Sequence, residues 1–336
     1  MRAYRVFGVT FASDYPFATP LLPGEGAASF SFTCVDRAPL AAGLEERSLL
    51  YASHYRDEAG NCLWRIYRMA GCEVMCSADV AEFYLWPDRI VCHRLRPAED
   101  REHQEADGCV IEASFLSSVL AYWLEGRGVP ALHASAVALQ DGAVAFLSDS
   151  GNGKSGLAAA LVQARHPFLA DDILALSAKD GRWLAQPGFP AMRMWPDEAE
   201  FFLGGFETLA RVHPRLAKRR LPIGAGSWGA FCDAAQPLAC LFVPERRDPA
   251  DPRDDITLTR IAPRDAVIEL VRYSFAARLV QSAGMQPRRL DLLVDISRRV
   301  PMYRLSYPYG FAHLGRVRAM VEGWADAATA GSRAAL

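Results

Sequence analysis

The residues best able to do chemistry in this 336-residue chain stand in one stretch, 144–172. It reads Val-Ala-Phe-Leu-Ser-Asp-Ser-Gly-Asn-Gly-Lys-Ser, then a helix-forming run, then Phe-Leu-Ala-Asp-Asp. A polyphosphate is held by backbone N–H groups that small residues leave accessible, at a helix N-terminus whose dipole favours anions. The stretch supplies those parts in order: an apolar run at 144–147, a loop carrying Gly151 and Gly153, and helix formers over 156–164. In such a loop Lys154 reaches the β- and γ-phosphates and the Ser155 hydroxyl holds Mg²⁺. Ser148 stands where the pattern G-x-x-x-x-G-K-[ST] has its first glycine. The candidate nucleotide-binding residues are Ser148, Asp149, Ser150, Gly151, Asn152, Gly153, Lys154, Ser155 and Gly156.

Asp171 and Asp172 end the apolar run 168–170. Two adjacent carboxylates are costly there unless they share a cation or a proton, because like charges repel and burial raises a carboxyl pKa. A metal relieves one of them and leaves the other free to act as a base, as in phosphoryl transfer to an alcohol. The competing reading is a carboxylate pair in a protein that only binds or hydrolyses nucleotide. Upstream, the run 129–139 is followed by Asp141-Gly142, a hairpin signal, so the first strand of a hairpin leads into the strand that feeds the loop. His133 lies on that first strand among apolar residues, and taken alone it reads as a core histidine.

Leu-His-Ala-Ser-Ala-Val at 132–137, the hairpin, the glycine loop with Lys154-Ser155, the helix and His-Pro-Phe-Leu-Ala-Asp-Asp at 166–172 together resemble the catalytic core of the HPr kinase/phosphorylase family. The resemblance is greater to its HPr-kinase-like branch, which includes kinases of lasso-peptide precursors, and it spans roughly residues 124–307. It implies a P-loop kinase core of the HPr kinase/PEP carboxykinase type, an α/β fold with a mixed sheet and flanking helices. It also implies ATP and Mg²⁺ as cofactors, Asp171 as general base, His133 tuning it beside Lys154, and Asp172 with Ser155 at the metal. Two features depart from HPr kinase proper. Gly156 stands where that family has an acidic residue, and the signature L-E-[IV]-R-G-[LI]-G is missing, so an acceptor other than HPr is expected. Residues 188–196 look instead like the P-x-x-R-L-W-P segment of the branch, with Arg193 as a candidate phosphate or acceptor ligand, since a guanidinium matches phosphate oxygens in a bidentate way. The basic cluster 211–222 resembles the branch's K-R-x-L-P segment and adds Lys218 and Arg220 as phosphate or acceptor candidates; a solvated charge run is the other reading.

The positioning elements follow from composition and pattern. The length exceeds one ordinary domain, and 51% hydrophobic residues suffice for a sizeable core. With 37 Lys+Arg against 39 Asp+Glu there is no global reason to expect nucleic acid or an anionic membrane as partner. No apolar run approaches a membrane span, and the first residues lack the apolar core of an export signal, so a cytoplasmic location is expected. Eight cysteines then read as reduced, buried thiols; Cys72, Cys76, Cys92 and His93 lack the repeated C-x₂-C spacing of a structural zinc site.

Residues 1–105 are expected to form a β-rich domain, with strands at 6–11, 28–34, 62–67 and 82–86. Its Tyr and Trp residues are either core or a peptide-recognition face. The polar run 97–108 is the candidate boundary, followed by a helix over 115–124 that opens the kinase domain, 106–325. Further elements are expected as a helix at 196–209, strands at 238–243, 256–261 and 300–307, helices starting at Pro263 and near Leu314, and a frayed tail over 326–336. The expected activity is transfer of the γ-phosphoryl group of ATP to a hydroxyl, on Ser or Thr of a ribosomally made peptide or small protein. A small-molecule alcohol kinase and a non-catalytic nucleotide-binding regulator or scaffold are the alternatives. HPr kinases are oligomeric, which makes a homo-oligomer conceivable here.

Overall fold

A computed structural model of the chain describes residues 1–40, 47–54, 56, 60, 62–77, 80–95, 101–214, 216–224, 226–275 and 277–334. The first ninety-odd residues build one mixed sheet from β1 (Arg2–Val6), β2 (Val9–Ser13), β3 (Leu22–Pro23), β4 (Phe30–Val35), β5 (Ser48–Ala52), β6 (Trp64–Met69), β7 (Cys72–Ser77), β8 (Ala81–Leu85) and β9 (Arg89–Arg94). Their order is β3-β1-β2-β4-β9-β8-β7-β6-β5, with β4 parallel to both β2 and β9 and every other pair antiparallel. The strand expected over 6–11 is broken in two. The chain reverses at Phe7 and Gly8, which take left-handed φ values of 53° and 78°, the geometry of a tight two-residue hairpin.

Aromatic residues of this sheet face inward. Phe11, Phe30, Phe32, Phe83 and Tyr84 are at most 2% exposed, while Trp64, Tyr67 and Trp86 are half-buried, so most of the aromatic content is core. The covering element is a helix in three parts: α1 (Arg101–Ser114), one wider π turn (Phe115–Val119) and α2 (Leu120–Glu125). Phe115 stacks on Phe32 with ring centroids 3.7 Å apart, and Trp123 meets Phe30 at 4.4 Å. The polar run 97–108 therefore turns out to be helical from Arg101 onward; residues 97–100 lie outside those described. Its polar composition is that of a helix with one narrow inner face, on which Ile111 and Glu112 are buried.

The second half has eleven strands: β10 (Ala131–Leu132), β11 (Ala134–Leu139), β12 (Gly142–Leu147), β13 (Phe168–Ala170), β14 (Leu174–Lys179), β15 (Arg182–Ala185), β16 (Ala191–Met194), β17 (Arg219–Pro222), β18 (Gln236–Arg246), β19 (Thr257–Ile261) and β20 (Met302–Tyr307). The helices are α3 (Lys154–Gln163), α4 (Pro196–Leu203), α5 (Pro263–Arg272), α6 (Ala277–Ser282), α7 (Gln286–Arg299) and α8 (Leu314–Ala334). The large mixed sheet runs β10-β14-β15-β18-β12-β11-β13, β20 pairs with β18 and β19, and β16 with β17 forms a separate ribbon. Its central strands are apolar on both faces, as sheets covered on both sides are. Val137, Val144, Phe146, Cys240 and Phe242 pack against α3 and α8; the alternate residues Ala136, Ala145, Leu147, Leu241 and Val243 pack with Leu270 of α5 and Ile296 of α7. The result is a helix–sheet–helix sandwich.

Two expected ends move. The helix at 196–209 stops at Leu203, because Gly204 takes a left-handed φ of 73° and caps it. The final helix runs to Ala334, past the point where fraying was expected. All eight cysteines are free thiols. Among the described residues no helix is long and apolar enough to cross a membrane.

Candidate functional site

Strand directions decide where the chemistry gathers. β12 and β13 flank β11 and both run antiparallel to it, while β18 runs parallel to β12 and β20 parallel to β18. The carboxyl ends of β12, β13, β18 and β20 and the amino end of β11 therefore share one edge of the sheet, the edge at which open α/β sheets bind ligands. His133 and Ser135, the glycine loop, Asp171 with Asp172, Arg246 and Tyr307 all lie along it.

The loop 148–153 leaves β12 and enters α3 through Gly153, the helix N-cap, at a left-handed φ of 87°; Gly151 is also left-handed, at 84°. A Cβ on Gly153 would sit 3.1 Å from the Tyr307 hydroxyl oxygen, so both conformation and space require glycine there. The first-turn N–H groups of α3 have no partners within the helix. Ser148 is 1% exposed and donates to the Asp149 carbonyl at 3.2 Å; Asp149, Ser150, Gly151 and Asn152 are exposed, and Asp149 pairs with Arg272 at 3.3 Å. Arg246 donates to the Gly151 carbonyl and ties the loop tip to the end of β18. Lys154 is only 3% exposed. Burial pushes its ammonium pKa down, and the charges of Asp172 and Asp171 offset that in part.

Asp171 accepts three hydrogen bonds from local donors. Its Oδ1 accepts from Ser135 Oγ and, at 3.0 Å, from Ser155 Oγ; its Oδ2 accepts from the Arg193 backbone N–H at 2.9 Å. Successive residues of an extended strand face opposite sides. Asp172 breaks that alternation with a left-handed φ of 70°, a strained conformation that Asp tolerates better than most residues, and its carboxylate joins the same cluster. Arg193 Nη1 donates to Asp172 Oδ2 at 2.8 Å, and His133 Nε2 lies 3.2 Å from Asp172 Oδ1. Burial pushes the Asp172 carboxyl up, but the Arg193 guanidinium and His133 outweigh it and hold the group well below the usual carboxylate range.

His133, Lys154, Ser155, Asp171, Asp172 and Arg193 are thus brought together. Lys218 belongs with them through its charge coupling to Lys154 and Asp172, and it sits 5.4 Å over the Trp195 ring. Arg220 does not. It is held 3.5 Å from the buried carboxylate of Glu112, which also accepts from the backbone N–H groups of Ala18 at 2.6 Å and Thr19 at 2.8 Å. Neighbours on β17 alternate in direction: Arg219 lies over Phe206 while Arg220 turns to Glu112.

Two participants were not foreseen. Ser135, fully buried on β11, fixes Asp171; a serine among alanines carries no signal of its own. Glu198, 7% exposed, takes the Trp195 N–H at 3.0 Å as the third residue of α4, and its Oε1 lies 3.3 Å from where a Cβ on Gly156 would be. A carboxylate therefore does stand beside position 156, supplied from another element. Burial raises the Glu198 pKa, and Asp171 and Asp197 add to the rise. The capping-box spacing after Trp195-Pro196 was its only trace in the sequence.

Among the described residues no cluster of three or more His, Cys, Asp or Glu side chains forms a ready metal cage. Burial pushes the Cys76 thiol up to about 12 and raises that of Cys72, so neither is a ready thiolate ligand. The hard oxygen donors are Ser155 Oγ and Asp171 beside the loop. That set fits Mg²⁺, which is held by one or two protein oxygens with substrate phosphates and waters.

No protein-family model matches the chain, and no curated protein matches it. Among solved structures it is similar to the Hpr(Ser) kinase/phosphatase from Coxiella burnetii; the superposition covers 60% of this chain and 98% of that one at 10% identity, with a TM-score of 0.30. That is a distant likeness, and the functional reading rests on the residues themselves.

Proposed function

We propose that the protein is an ATP-dependent phosphotransferase that moves a γ-phosphoryl group to a hydroxyl. The observation that carries this reading is the convergence of a buried, unneutralised Lys154 at a glycine loop with two separately engaged carboxylates, Asp171 on Ser155 and Asp172 on His133 and Arg193. A protein that merely binds phosphate needs the first part; the second adds a carboxylate for the metal and another for an acceptor.

In this mechanism the loop N–H groups and Lys154 hold the phosphates, and anion binding restores the charge that burial disfavours at Lys154. Mg²⁺ held at Ser155 and Asp171 would neutralise charge on the transferring phosphate oxygens. We propose that the two aspartates exchange roles relative to the expectation from the motif. Asp171 accepts from Ser135, Ser155 and the Arg193 N–H, which places it to orient the loop serine and the metal beside it. Asp172, with a side chain 16% exposed, is the one able to meet an acceptor hydroxyl. Phosphoryl transfer has a loose transition state that asks for positioning more than for a strong base, so a carboxylate with a depressed pKa serves: it is always ionised and accepts the hydroxyl proton as the new P–O bond forms. His133, 3.2 Å from Asp172 Oδ1, would orient the carboxylate for that transfer. Arg193 has donors to spare for a phosphate oxygen.

For the acceptor we propose Ser or Thr of a peptide or small protein. The motif resemblance over 124–307 supports this class, as does a cleft of about 640 Å³ between the N-terminal sheet and the end of α2, whose lining mixes apolar and charged groups, among them Trp86 and Arg68 on the sheet side and Trp123 and Arg127 on the helix side. The test is transfer of label from γ-labelled ATP to a panel of Ser- and Thr-containing peptides, run with Asp172→Asn and Asp171→Asn. Asp172→Asn should lose about 10²–10⁴-fold in transfer while nucleotide affinity stays within a few-fold. Asp171→Asn should raise the magnesium concentration needed. Full transfer by Asp172→Asn would remove it from the mechanism.

A further inference from the structure

The loop and its lysine account for phosphates and leave the rest of the nucleotide unplaced. Beside them lies a cleft of about 350 Å³, within the ~300–1,000 Å³ range of small-molecule sites. Its floor is the glycine loop itself, at Gly151, Gly153 and Gly156, and its walls are Trp195 on one side and the turn after β20 on the other. That turn carries aromatic rings to the surface. Tyr309 is 55% exposed, and Phe311 stacks on Phe201, itself 48% exposed, at 4.8 Å and 15°. Arg246 lies 5.1 Å from the Tyr309 ring centre while donating to the Gly151 carbonyl, so the aromatic wall is tied to the loop.

Position separates this cleft from the acceptor side. None of His133, Asp171, Asp172 or Arg193 lines it; the carboxylates on its wall are Asp197 and Glu198 of α4. An acceptor hydroxyl has to reach Asp172, whereas the far end of a donor whose phosphates lie on the loop has to leave in another direction. Exposed rings are an unfavourable surface in water, and a planar heterocycle stacked on them is worth roughly five- to 150-fold in affinity per base. We propose that the Trp195–Tyr309–Phe311 cleft binds the nucleoside of a purine nucleotide, with Tyr309 and Phe311 offering stacking surfaces and Arg246 holding Tyr309 against the loop. This rests on the phosphate-binding reading of the loop.

The two can be tested apart by titrating ATP and inorganic tripolyphosphate, each with magnesium, into the full chain and into Tyr309→Ala and Phe311→Ala variants. The wild type should bind ATP at least about tenfold more tightly than tripolyphosphate. Tyr309→Ala should lose most of that ratio while its tripolyphosphate affinity stays put, which also shows that the variant is folded. If the wild type binds both ligands equally, or if both variants keep the wild-type ratio, the nucleoside assignment is overturned while the loop reading stands. If neither ligand binds the wild type, both fall. If the variants change the Michaelis constant for a peptide acceptor and leave the ATP-to-tripolyphosphate ratio intact, the cleft belongs to the acceptor and the proposal is wrong.

Discussion

The N-terminal sheet and the sheet that ends at the glycine loop both bury polar groups, and they treat them in opposite ways. In the first region the carboxylate and hydroxyls under α1 are closed off. Glu112 is enclosed by the N–H groups of Ala18 and Thr19, the Thr19 hydroxyl and Arg220, and Ser77 meets Ser114 at 3.0 Å. In the second, Asp171 and Asp172 are partnered but Lys154 keeps a lowered pKa and Glu198 a raised one, both through burial. The packing differs to match. Stacked rings fill the first core, whereas Ala134, Ala136, Ala143, Ala145 and Ala158 to Ala160 let strands and helix approach closely behind the loop. A closed polar network holds a fold together. An open one, held rigid from behind, is where a ligand completes the charge balance.

That contrast can be broken from either side. The largest effect expected is on the closed side: Phe115→Ala removes a ring packed on Phe32, Phe11 and Phe30 and should cost about 3–5 kcal/mol in urea unfolding. Nucleotide affinity measured well below the melting temperature should hardly change. A large loss of affinity with the fold intact would mean that the two regions are coupled.

A smaller effect with a pH signature is expected at Glu198. The folded chain holds its proton more tightly than the unfolded chain, whose reference value is 4.5. Its protonation therefore favours the fold below that value, and the benefit is lost as pH rises through the raised folded value. Glu198→Gln removes the loss, so variant and wild type should be close in stability in acid, with the variant gaining as pH rises toward neutrality. Equal pH profiles for the two proteins would show that Glu198 is an ordinary helix cap.

Much of the second region was legible in the sequence because its signals are local. An apolar run, left-handed glycines, a lysine and a helix can be recognised residue by residue, and the hairpin signal at Asp141-Gly142 identified the strand next to β12, although His133, expected on that strand, stands at the bend between β10 and β11. What could not be read depends on chain direction and on distant elements. The proposed exchange of roles between Asp171 and Asp172 rests on a left-handed φ at Asp172 and on Ser135 across the strand pair, neither of which a motif encodes. Glu198 reaches position 156 only through the path of α4. Arg220 looked like Lys218 in a basic run, but its direction on β17 gives it to Glu112. In the first region, the parallel placement of β4 between β2 and β9 has no local signal, and a polar helix with a single buried stripe looks like a linker.

The loop is proposed to be an anion site built around Lys154. Calorimetric titration of ATP with magnesium into the wild type and Lys154→Ala tests it most directly. The account predicts magnesium-dependent binding to the wild type, with proton uptake at alkaline pH as Lys154 regains its charge, and a loss of about 10–100-fold in the variant. Binding that is unchanged by Lys154→Ala, or no binding to the wild type, would contradict it.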